Sequence, residues 1–138
     1  MTAAPGRKYL TKTGVLYIII SVGGAFSAFS LLPHLPLFIF NLLFPIYYMF
    51  MGVMGIKYRN SIDKANLLRV LAIIDLITEV LGIFLIFLAL SGNYDPSAGA
   101  LTIAITLAIG IIIPIFYLVG AQKNLSVKQK NIMNIGSE

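Results

Sequence analysis

Four apolar runs of bilayer-spanning length constrain this chain more than any other feature. They are GVLYIIISVGGAFSAFSLL (14–32), LFIFNLLFPIYYMFMGVMGI (37–56), LLRVLAIIDLITEVLGIFLIFLAL (67–90) and AGALTIAITLAIGIIIPIFYLVGA (98–121). An α-helix rises about 1.5 Å per residue, so roughly 20 apolar residues cross about 30 Å of hydrocarbon. Strands are a poor alternative, because the runs lack the alternation of a barrel and an open strand would leave its amides unpaired in lipid. The connectors PHLP (33–36), KYRNSIDKAN (57–66) and SGNYDPS (91–97) are short, which makes consecutive helices antiparallel neighbours. The expected fold is all-α: an integral membrane four-helix bundle, up-down-up-down, forming one domain over 1–121. The polar stretch 122–138 is expected to be a flexible cytoplasmic tail, although Leu125, Val127, Ile132 and Ile135 would also suit a short surface helix.

Composition agrees. Hydrophobic residues make up 59% of the chain and charged residues 11%, against roughly 25% in an ordinary soluble domain. The net charge of +5 is one-sided. Arg7, Lys8 and Lys12 precede the first run. Lys57, Arg59, Lys64 and Arg69 lie in or just past the middle connector, and Lys123, Lys128 and Lys130 follow the last run. The outer connectors carry none. By the positive-inside rule, both termini and the middle connector are cytoplasmic. The basic residues then have a role in setting topology and meeting anionic headgroups of the lipid bilayer, and nucleic acid is not an expected partner. The first run is too long for a signal-peptide core of about 7–15 residues and reads as a retained helix. A bacterial cytoplasmic membrane is the expected location.

The catalytic repertoire is thin. The chain has no cysteine and a single histidine, His34, which removes thiolate chemistry and any His–His metal pair within one chain. Neither HExxH nor GxSxG is present. An enzyme and a cofactor are therefore not expected, and the sequence specifies no metal.

Against that background stands IIDLITEVLG (73–82), where Asp75 and Glu79 interrupt the third run. Counting rise from Leu67 puts Glu79 about 18 Å along the span, near the midplane, and Asp75 about 6 Å closer to the cytoplasm. Four residues apart, they share a helix face with Leu68, Ala72, Gly82 and Ile86. A carboxylate at this depth costs roughly 2.5–3.5 kcal/mol to insert, so the face should meet the bundle. Arg69 lies on another face and is a poor counter-ion. Two carboxyl groups this close in a medium of low dielectric resist ionising together. They suit either a proton or a cation.

Level matching supplies candidate neighbours: Tyr47 and Tyr48 on the second helix, Ser21 on the first, Thr106 and Gly110 on the fourth. Pro45 and Pro114 cannot donate to the carbonyls of Asn41 and Gly110, which adds possible acceptors. Gly24, Ala28, Ala104 and Ala108 have the small-xxx-small spacing that lets helices approach closely, and Gly52 and Gly55 are read the same way. His34, between Pro33 and Pro36, is a candidate outer-face pH sensor or simply the tip of a tight turn. Tyr9, Tyr17, Tyr58 and Tyr117 are expected to form an aromatic belt at the inner boundary.

The function expected from these residues is a proton- or cation-linked transporter or channel using Asp75 and Glu79. With no internal repeat visible, its symmetry would come from homo-oligomerisation. The alternative is a non-catalytic accessory or assembly subunit whose acids contact another membrane protein.

Overall fold

The computed structural model describes residues 4–29, 32, 33, 35–90 and 96–135, with the side chains of 36, 37, 40, 83, 85–90, 96–108, 134 and 135 excepted. The described residues form four helices and no strand: α1 (Arg7–Phe29), α2 (Leu35–Lys57), α3 (Ala65–Leu90) and α4 (Pro96–Ile135). The ends follow local chemistry. Pro96 opens α4 at a position where a missing N–H costs nothing. The Ser61 hydroxyl accepts from the Lys64 amide at 3.3 Å just before α3. After α2, the Ser61 amide turns back to the Tyr58 carbonyl at 2.9 Å. Two stretches, Arg7–Phe29 and Ile109–Met133, are long and apolar enough to cross a membrane.

Glycine sets the helix crossings. A Cβ on Gly14 would lie 2.9 Å from the Gly52 carbonyl oxygen, and one on Gly52 would lie 2.7 Å from that of Gly14. The two backbones thus touch reciprocally. Gly24 meets Pro45 further along, so α1 and α2 run antiparallel. Between the turn that precedes α1 and α4 the approach is closer still, since a Cβ on Gly6 would fall 1.9 Å from the Gly120 carbonyl oxygen. Among the described residues α2 and α3 pack only sparsely against each other, whereas α1 packs on both α2 and α4, and α3 packs on α4.

The core lies toward the basic end, where Leu10, Tyr17, Met51, Leu68, Ala72, Ile113, Tyr117 and Ala121 are buried together. Tyr17 and Tyr117 meet edge to face, centroids 5.7 Å apart at 76°. Both belong to this core and not to a boundary belt. Tyr9 and Tyr58 are half-buried, with Lys123 lying 4.3 Å over the Tyr9 ring and Lys57 5.4 Å over the Tyr58 ring.

The last helix departs from expectation. The fourth run ends at Ala121, but α4 continues to Ile135, about 21 Å further. No Gly or Pro lies between Ala121 and Ile135 to stop it, and its first added turn is docked. Asn124 is fully buried and Leu125 nearly so. The Gly6 amide donates to Asn124 Oδ1 at 2.7 Å, while Asn124 Nδ2 donates to the Arg59 carbonyl at 3.1 Å. One side chain of the supposed tail therefore joins the N-terminal turn to the α2–α3 connector. Polar composition alone does not distinguish such a buried staple from a solvated tail.

Candidate functional site

The inward stripe of α3 contains Leu68, Ala72 and Asp75, all buried, with Glu79 one turn further on and half-buried. The i, i+4 spacing puts both carboxyl groups on the same side. Each receives a phenol from a different helix. The Tyr17 hydroxyl on α1 donates to Asp75 Oδ2, and the Tyr48 hydroxyl on α2 donates to Glu79 Oε1. The two tyrosine rings are neighbours, centroids 5.7 Å apart at 30°. Phenols from α1 and α2 thus reach both acids, and the pairs hold α3 against a sparsely packed side of the bundle.

α4 completes the surroundings. Gly110 faces Glu79 so closely that a Cβ there would lie 2.6 Å from Oε2. Glycine is what lets the carboxyl group lie against the α4 backbone. Tyr17, Tyr48, Asp75, Glu79, Gly110 and Pro114 line a cleft of about 300 Å³ together with Ile20, Ile109 and Ile113. That volume is at the lower end for small-ligand sites and admits a small ion with several waters. Among the described residues no group of three or more His, Cys, Asp or Glu side chains gathers to hold a metal. A cation here would rest on two carboxyl groups and neutral oxygens, a donor set for hard ions.

A second cleft of about 280 Å³ lies between α1 and α2, and its lining includes Gly24, Ser27, Ala28, Asn41 and Pro45. It shares Ile20 and Tyr48 with the acid cleft. The phenol that bonds Glu79 is therefore a common wall of both spaces.

Of the residues matched by depth, Tyr48 and Gly110 meet Glu79. Tyr47 is close by but donates to the Leu71 carbonyl at 3.2 Å, and the Ser21 hydroxyl donates to the Pro45 carbonyl at 2.7 Å. Both tie helices together and neither bonds an acid. Gly24 packs on Pro45 and Ala28 is buried, as helix-packing residues. Arg69 does not pair with Asp75, and its Nε is buried without a hydrogen-bond partner. His34 and the side chains of Thr106, Ala104 and Ala108 lie outside the described residues.

Tyr17 is the site residue that depth counting misplaces. Measured from Gly14 it sits near the inner boundary, yet α1 begins at Arg7 and buries Leu10, Thr13, Gly14, Tyr17, Ser21 and Ala28. Tyr17 stands on that helical stripe, three residues after Gly14 and four before Ser21. The periodicity of small and polar residues was the available signal. Comparison of the chain with protein-family models, curated proteins and solved structures returns no match.

Proposed function

We propose that this chain is a four-span membrane protein, with both termini cytoplasmic, that moves a proton or small cation through the Asp75–Glu79 cleft and works as a homo-oligomer without catalytic chemistry. The observation that carries the reading is the pair of phenol–carboxyl bonds at one cleft, each linking α3 to a different helix. A proton or cation arriving at either acid competes with a contact that holds the bundle together. Occupancy of the cleft is thereby coupled to how α3 sits against α1 and α2. Tyr48, which bonds Glu79, also walls the second cleft, whose lining includes Ser27 and Asn41, so a shift of its phenol reshapes both spaces.

The membrane reading draws support from the surface. Large apolar side chains are exposed on every helix, among them Ile19 and Phe26 on α1, Ile39 and Ile46 on α2, Ile77 and Phe84 on α3, and Ile112 and Phe116 on α4. Contiguous apolar surface on this scale is costly in water and ordinary against lipid.

The test is flux in proteoliposomes under an imposed pH or cation gradient. Wild-type protein should dissipate the gradient, and Glu79→Gln should abolish that activity while keeping its helicity. Wild-type flux at the level of empty liposomes would end the transport reading. A second reading, an accessory subunit, draws on the sparse α2–α3 packing on the side of the bundle that carries the acids. It predicts an inert purified protein and a membrane partner that co-purifies with wild type but not with Glu79→Gln.

A further inference from the structure

At the basic end, remote in sequence from the acids, a recess of about 540 Å³ is lined by Ala4, Pro5, Arg7, Lys8, Thr11, Lys12 and Arg59. Four cations thus converge from two elements, the start of α1 and the α2–α3 connector. Among the described residues no carboxylate lines the recess, and the ion pair found among them lies elsewhere, between Lys128 and Asp63. Like charges gathered this way repel one another unless an anion joins them. Arg59 adds a planar fork suited to phosphate oxygens, and the lysines add point charges.

The recess has an apolar neighbour. A groove of about 430 Å³ runs between α1 and α4, lined by Lys8, Tyr9, Lys12, Thr13, Leu16 and Phe116. Lys8 and Lys12 belong to both spaces. Beyond them the groove continues to Leu16 and Phe116, which are exposed, so a polar cationic site passes directly into an apolar track. A ligand that matches both is an amphiphile with a phosphate at one end and a hydrocarbon chain at the other.

We propose that the Arg7–Lys8–Lys12–Arg59 recess binds a phosphate group, carried by an anionic phospholipid whose acyl chain lies along the Leu16–Phe116 groove. This site is separate from the acid cleft and does not depend on transport. Its occupation would pin the start of α1 to the α2–α3 connector from outside, at the level where Asn124 joins the same two segments from inside.

The experiment is lipid retention by the full-length protein in mild detergent, read by native mass spectrometry. Phosphatidylglycerol should be retained in preference to phosphatidylcholine. Arg59→Gln and Lys12→Gln should each weaken retention about fivefold, the effect of one cation near an anionic headgroup. Lys130→Gln, an equal loss of charge outside the recess, should change it less than twofold. Arg59→Lys keeps the charge and should retain at least half of wild-type binding, which separates lost binding from lost folding. Equal retention of both lipids, or an equal loss in Lys130→Gln, would overturn the site. Displacement of the lipid by inorganic phosphate at the same concentration would overturn the acyl-chain assignment and leave a site for soluble phosphate. Resistance to inorganic phosphate supports the lipid.

Discussion

Replacing each phenol by phenylalanine separates the two acids energetically. The substitutions Tyr17→Phe and Tyr48→Phe remove one hydroxyl apiece and keep ring volume, so no cavity contribution accompanies the lost bond. Their costs differ because the acids differ in exposure. Both line the cleft, but Asp75 is only 1% exposed, whereas Glu79 is half-buried and more open to water. Net hydrogen bonds to charged groups contribute about 1.5–3 kcal/mol, and an acceptor left buried without a donor costs at the upper end. Tyr17→Phe should therefore lose about 2–3 kcal/mol, and Tyr48→Phe, whose partner can recruit water, about 0.5–1.5 kcal/mol. The measurement is unfolding in mixed detergent micelles, followed by helical circular dichroism as the denaturing detergent is titrated in. A double-mutant cycle of Tyr17→Phe with Asp75→Asn should give a coupling of at least about 1 kcal/mol. Equal losses for the two phenols, or a larger one for Tyr48→Phe, would refute the argument from burial.

Two further outcomes follow from the same geometry. Asn124→Ala leaves the Gly6 amide and the Arg59 carbonyl without their partner and should cost about 2–4 kcal/mol in the same titration; a loss under about 0.5 kcal/mol would mean that the end of α4 is not docked. Gly110→Ala places a methyl against the carboxyl end of the flexible Glu79 side chain, which can shift by a few tenths of an ångström or more to relieve it. It should therefore lower stability by less than about 1 kcal/mol yet reduce proteoliposome flux severalfold, and unchanged flux would show that the position of Glu79 against α4 is immaterial.

How far such a site can be read in advance depends on which physical variable fixes each part. Apolar run length fixes helix number and order, and charge asymmetry fixes which ends gather, as the joining of Gly6, Arg59 and Asn124 at one end illustrates. Depth matching between helices brings Tyr48 and Gly110 to Glu79, because those partners lie near mid-helix where an error of one turn still leaves contact. It fails for Tyr17 because the hydrophobic edge of α1 is not its structural start. It also cannot tell Tyr47 from Tyr48: adjacent residues differ by 100° around the helix, and only the packing of α2 decides which faces an acid and which a backbone carbonyl. Asn124 escapes a reading by polarity altogether, since a buried amide with two partners and a solvated one have the same composition.

The Asn124 contact also sets an order of events in time. Gly6 and Asn124 are 118 residues apart, so their bond cannot exist until α4 has been made as far as Asn124. At roughly 5–20 residues per second, the turn that precedes α1 waits about 6 to 24 s for its acceptor. During that interval the α1–α2 hairpin, whose Gly14–Gly52 contact is complete far earlier, can already be in place. One half of the bundle can thus pack while the opening turn is still untied, and α4, made later, fastens that turn and the α2–α3 connector together at one end.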